Sequence, residues 1–200
     1  MPGLREQIQS SLRGRVCFMG LGNVGGGDDG FGVRLAEALA RAGAPEVVIG
    51  GTAPEPLAGR CAESGFDHLV FLDAADFGAA PGSVVFLNSQ EMAARFPQFS
   101  THRLSLGMLA KCVEARGTTR AWLLGAQPAS LKPAPVLSPP LQTTLAIITD
   151  LMSDLLNGHA SVLDGRARTP CAPRRVPMYR DPPCLAQARR THHPGEAIET

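Results

Sequence analysis

Aromatic residues are scarce in this 200-residue sequence: one Trp, one Tyr and eight Phe, 5% in all. Net charge is nearly absent too, at +1 from 19 Lys and Arg against 18 Asp and Glu. With neither a basic patch nor aromatics interleaved with basic residues, the chain is not built to capture nucleic acid or an anionic membrane. No apolar stretch approaches the ~18 residues that cross a bilayer. The first fifteen residues mix Arg and Glu without an apolar run, so no secretory leader is expected there. The cysteines (Cys17, Cys61, Cys112, Cys171 and Cys184) are odd in number and form no CxxC pair. They read as free thiols in a reducing cytoplasm. No internal repeat is visible.

What is present is glycine, proline and a regular alternation of apolar runs. The 22 Gly and 17 Pro predict many turns or an unstructured stretch. Leu4, Ile8 and Leu12 are spaced for a short amphipathic helix. A buried strand is predicted at Val16–Met19, followed by Gly20-Leu-Gly-Asn-Val-Gly-Gly-Gly27. A helix follows from Phe31, with Phe31, Leu35 and Leu39 on one face and Gly43 as its stop. Further strands are expected at Val47–Ile49, Asp67–Leu72, Ser83–Leu87 and Ala121–Leu124. Helices are expected at Pro54–Ser64 and from Leu104 to Ala115, the latter opened by Thr101-His102 with Leu104, Met108 and Cys112 on one face. The last helix has Ser138 as N-cap, Pro139 in its first turn and Asn157-Gly158 as its stop. Strands alternating with helices predict an α/β fold, a three-layer α/β/α sandwich on a mostly parallel five-stranded sheet. The strand after the Pro81-Gly82 turn follows its predecessor through a short loop, which suggests an antiparallel orientation to it.

Residues 1–158 thus form one domain of sufficient size to bury a core. Residues 159–200 carry seven Arg and six Pro against Asp164, Asp181, Glu196 and Glu199, with little periodic apolar pattern. They read as a disordered tail, either dispensable or a partner-binding arm. Cys171, Cys184, His192 and His193 lie in it at a spacing that fits no standard zinc pattern.

Ligands of open parallel sheets bind at the carboxyl ends of the strands. Asn23, Asp28 and Asp29 fall there, as do Asp73 with Asp76, and Gln127; His102 opens a helix on the same side. The glycine loop formally matches a dinucleotide-binding G-x-G-x-x-G. Its third consecutive glycine lengthens the turn, however, and Asp28 and Asp29 place two carboxylates where a pyrophosphate needs bare amides. One carboxylate suffices to cap a helix, a role that suits Asp28. Asp29 is then the better ligand candidate, and Asp76 suits a local turn. Asp29, Asp73 and His102 together offer two carboxylates and an imidazole, a fair divalent-metal site with open positions. Spacing alone does not prove that the three converge. No Ser or Cys nucleophile has a matched base; Ser105 is near His102 only in sequence.

Several ordered motifs resemble the hydrogenase maturation endopeptidases. Gly20-Leu-Gly-Asn-Val-Gly-Gly-Gly-Asp-Asp-Gly-Phe-Gly-Val33 is similar to their opening motif. Phe71-Leu-Asp-Ala-Ala-Asp-Phe-Gly78 with Pro81-Gly82 is similar to their second, and Ser100-Thr-His-Arg-Leu-Ser-Leu106 to their third. Gly51-Thr-Ala-Pro-Glu55 and Leu124-Gly-Ala-Gln-Pro128 resemble the subgroup serving formate-linked hydrogenases. The resemblance spans residues 12–156 and implies a phosphorylase/hydrolase-like five-stranded fold. It also implies an endopeptidase that removes the C-terminal extension of a nickel–iron hydrogenase large subunit precursor once nickel is inserted. The family's nickel-site ligands fall on Asp29, Asp73 and His102, which would serve as both metal-contacting and catalytic residues. The nickel belongs to the substrate, and no organic cofactor is implied. A carboxylate or a metal-polarised water would act on the peptide bond. An acidic residue common near the end of the family's second strand is missing at Ile49-Gly50. A non-cleaving, nickel-sensing chaperone of the same subunit would use the same ligands.

Overall fold

The computed structural model describes residues 2–96 and 105–159. His102, the Thr101-His102 helix opening and the 160–200 tail with its Cys and His residues lie outside the described residues.

The apolar runs become five strands: β1 (Val16–Leu21), β2 (Val47–Gly51), β3 (His68–Ala74), β4 (Val84–Asn88) and β5 (Arg120–Ala126). Their order across the sheet is β2-β1-β3-β5-β4. β1 pairs in parallel with β2 and β3, β3 pairs in parallel with β5, and β4 lies antiparallel on the edge beside β5. The antiparallel strand is the expected one, but its neighbour is not β3. The chain returns later to insert β5 between the two. β3 is buried from His68 to Asp73, as a central strand covered on both faces must be.

Among the described residues six α-helices cover the sheet: α1 (Leu4–Ser11), α2 (Phe31–Arg41), α3 (Glu55–Glu63), α4 (Ser89–Arg95), α5 (Leu106–Glu114) and α6 (Pro139–His159). They sort into two cores. One face gathers Met19, Phe71 and Leu123 with Ala58 and Cys61 of α3, Met92 of α4, and Leu109 and Val113 of α5. The other gathers Phe18, Val70 and Leu124 with Ile8 of α1, Leu35 and Leu39 of α2, and Leu141, Ile148 and Met152 of α6. Burial of each such Leu contributes about 1.5–3 kcal/mol. The result is the three-layer sandwich.

Two helical expectations need correction. α4 was not foreseen, although Asn88 accepts from the Gln90 and Glu91 amides while Glu91 accepts from the Asn88 amide, a reciprocal cap. α5 buries Leu106, Leu109, Ala110 and Val113, whereas Met108 and Cys112 are exposed. Its start is Leu106, where Ser105 accepts from the Met108 amide.

Candidate functional site

The carboxyl ends of β1, β3 and β5 meet the start of α2 at one rim. α2 reaches that rim because of Gly32: a Cβ there would strike the Leu72 carbonyl of β3. The preceding loop is equally tight. Gly22 has φ +100, and a Cβ on it would strike the Asp29 carbonyl. Asn23 then folds the loop on itself, its side chain accepting from the Gly25 amide at 3.0 Å. The Asn23 amide donates to Oδ2 of Asp29 at 2.9 Å. Arg34, one turn into α2, donates to the Val24 carbonyl at 3.1 Å, while its Nε is buried with no partner among the described residues. Asp29 is half-buried in a short 3₁₀ turn, Gly27–Gly30.

Asp73 lies within β3 rather than after it, paired in register with Gly125. It is buried, and that burial, followed by the negative charge of Asp29, pushes its pKa up to about 8 against the pull of the Ala74 amide. The structure therefore brings two of the three expected residues, Asp29 and Asp73, into electrostatic contact. A cation between them would relieve both the repulsion and the desolvation, so carboxylate donors in this arrangement suit a divalent metal.

Asp28 does something other than cap α2. It is almost fully buried, and its carboxylate receives the amides of Ala129 at 2.9 Å, Ser130 at 3.3 Å and Ser138 at 2.7 Å, with the Ser138 hydroxyl at 2.9 Å. Burial works to raise its pKa, but the hydrogen bonds from Ser138, Ala129 and Ser130 outweigh it and hold the group below its usual range. Asp28 thus ties the loop between β5 and α6 to the rim. Gln127 performs a similar task from β5. Its Oε1 accepts from the Phe77 and Ala79 amides, and its Nε2 donates to Asp76. Asp76 also accepts from Gly78, the expected local turn, and these two donors keep its pKa low.

In the sequence Asp28 reads as a helix cap and Gln127 only as a polar residue at a strand end. Their long-range partners give no local signal. Cys17 and Cys61 pack Sγ to Sγ at 3.9 Å inside one core, and both are free. No helix among the described residues is long and apolar enough to cross a membrane.

The mostly parallel five-stranded sheet with helices on both faces places the chain among the three-layer α/β/α folds. The comparisons with known proteins narrow this. The family model described as hydrogenase maturation protease matches residues 33–154. The Hydrogenase 2 maturation protease of Escherichia coli K12 is 32% identical over 139 residues, covering 66% of this chain and 84% of that protein. The hydrogenase expression/formation protein HupD of Bradyrhizobium diazoefficiens is 30% identical over 157 residues, covering 74% and 80%. Among solved structures, the NiFe hydrogenase maturation protease HycI of Thermococcus kodakarensis KOD1 superposes with a TM-score of 0.66 at 28% identity, covering 77% of this chain and 98% of that one. The hydrogenase maturating endopeptidase HybD of E. coli gives 0.59 at 27% identity, covering 74% and 93%. This chain belongs to the hydrogenase maturation protease family and is a peptidase.

Proposed function

We propose that the chain cuts the C-terminal extension from the large subunit precursor of a nickel–iron hydrogenase after nickel has been installed. The observation that carries this reading is the pairing of Asp29 with Asp73 at the sheet rim, where Asp73 is buried and held near pKa 8 partly by the charge of Asp29. Such a pair is poorly satisfied alone and well satisfied by a divalent cation presented from outside.

In this reading the cation is the nickel of the substrate. Asp29, oriented by the Asn23 amide through Oδ2, contacts it with its other oxygen. Asp73 contacts it from β3, and His102 supplies the imidazole. A precursor without nickel offers nothing for the carboxylates to hold, so cutting waits for the metal. Contact at the rim sets the scissile bond beside the cleft, where a carboxylate or a metal-polarised water attacks it. The family membership supports peptide-bond hydrolysis, and the acidic rim supports the dependence on metal.

The test is to incubate the protein with a nickel-loaded precursor and with the same precursor lacking nickel, then weigh the products. Shortening is expected only with nickel, and Asp29→Ala, Asp73→Ala and His102→Ala are each expected to slow it by at least about a hundredfold. Equal cutting of both precursors, or unchanged cutting by the variants, overturns the reading. Retention of an uncut precursor in a stoichiometric complex points to a nickel-sensing chaperone instead.

A further inference from the structure

We infer that the connection between β5 and α6, residues 127–138, seats the polypeptide of the substrate beside the carboxylate pair, with Leu131, Val136 and Val24 as apolar anchors. The inference rests on the functional reading above and names the surface that reading leaves open.

Among the described residues five large hydrophobic side chains stay exposed, and three of them lie on the two loops at this rim: Val24 at 46%, Leu131 at 45% and Val136 at 61%. The two loops form one unit. Asp28 holds the Ala129, Ser130 and Ser138 amides, and Ala134 packs so closely on Gly27 that a Cβ there would meet its methyl at 2.8 Å. Water-exposed Leu and Val on a loop usually imply mobility. Here the backbone is pinned at both ends by a buried carboxylate, and Pro128, Pro133 and Pro135 restrict what lies between. A fixed apolar loop loses little entropy on binding.

The occupant follows from position and charge. Asp29 is the residue after Asp28, and Ala134 packs on Gly27 of the same turn, so the loop that Asp28 carries lies beside any metal that touches Asp29. Residues 127–138 contain no acidic side chain and a single cation, Lys132, while Asp29 and Asp76 place negative charge on the adjoining rim. The matching partner presents a divalent cation to the rim and an adjacent apolar stretch of chain to the loop. That is the chemistry of a metal-loaded precursor, and it assigns Asp28 a positioning role.

The experiment measures binding of a nickel-loaded large subunit precursor by calorimetry, alongside steady-state cutting. Leu131→Asp combined with Val136→Asp is expected to weaken binding by at least about tenfold, and to raise KM by a similar factor with kcat held within about twofold. Ile147→Asp, an equally exposed position on α6, is the control and is expected to match the parent. Leu131→Ala with Val136→Ala, which adds no charge, should move binding in the same direction by less. Binding by the double Asp variant within about twofold of the parent overturns the inference. The two readings separate cleanly: a wild type that binds the precursor through this loop without cutting it removes the peptidase assignment and keeps the surface. Cutting that continues with undiminished binding removes the surface and keeps the peptidase.

Discussion

Asp28 and Ser138, 110 positions apart, are joined twice: the Ser138 amide reaches Oδ1 at 2.7 Å and its hydroxyl reaches Oδ2 at 2.9 Å. Ser138 immediately precedes α6, so one carboxylate at the start of α2 sets where the last helix begins. Asp28→Ala strands the amides of Ala129 and Ser138 next to a void. The expected loss is about 2–4 kcal/mol in chemical denaturation, with Asp28→Asn losing less because it keeps one acceptor. A loss within 0.5 kcal/mol (roughly the noise of such measurements) in the Ala variant would show the tie to be incidental.

Asp73 gives a stability profile with a definite sign. Its pKa in the folded chain stands at about 8, above the usual 3.8. The folded state therefore holds this proton more tightly than the unfolded state. That contribution is fully present below about pH 4 and is lost as the pH rises through 8. Asp73→Asn has no such proton to lose. Urea midpoints are expected to coincide for the two proteins near pH 4 and to favour the variant at pH 8, by on the order of 2 kcal/mol. The same variant should fail to process a nickel-loaded precursor, because an amide does not replace a carboxylate toward the metal. Parallel profiles across the pH range would mean that Asp73 is not held protonated.

Much of the fold was legible because burial leaves a local pattern. The run Leu-Val-Phe-Leu of β3 is apolar because both its faces are covered, and Phe31, Leu35 and Leu39 of α2 repeat because one stripe meets the sheet. α5 shows where that logic fails. Two helical stripes were available, Leu104–Met108–Cys112 and Leu106–Leu109–Ala110–Val113, and periodicity alone does not say which one the sheet receives. At the site, Asp29 and Asp73 were legible as carboxylates at strand ends. The role of Asp28 was not. Its four donors come from a loop a hundred residues away, and nothing beside it in the sequence distinguishes that task from capping.

His68 at the start of β3 predicts an acid-sensitive fold that the lone tryptophan reports. Trp122 Nε1 donates to His68 Nδ1 at 3.0 Å, which puts the neutral ring's proton on Nε2, where it faces the Arg13 carbonyl at 3.0 Å with the Arg13 amide at 3.2 Å. Burial lowers the His68 pKa from 6.5, despite the Arg13 hydrogen bond and the nearby charge of Asp67, and Arg120 adds to the lowering. A second proton would set two N–H groups against each other. Above pH 6.5 both states are neutral and stability is level. As the pH falls below it, the unfolded chain takes up the proton first and stability declines until the folded pKa is passed. Trp122 emission is expected to shift at the lower end of that window, as the pH falls through the folded pKa and His68 takes up the second proton, and both changes should be reduced in His68→Gln. An acid-induced loss of stability that is the same in His68→Gln as in the parent would contradict this.

Two glycines with the same backbone test whether the rim geometry, rather than glycine freedom in general, serves the chemistry. Gly22 has φ +100 and Gly43 has φ +91, so alanine at either is strained by roughly 1 kcal/mol. Their surroundings differ. Nothing lies within 4 Å of a Cβ on Gly43, whereas a Cβ on Gly22 drives into the Asp29 carbonyl. Gly43→Ala should therefore lower thermal stability slightly and leave processing of a nickel-loaded precursor alone. Gly22→Ala must also move the turn that aims Asp29, so it should lose about 2–4 kcal/mol and at least about tenfold in kcat/KM. If the two variants fall equally in activity, Asp29 tolerates displacement, and its orientation by the loop does not matter to the reaction.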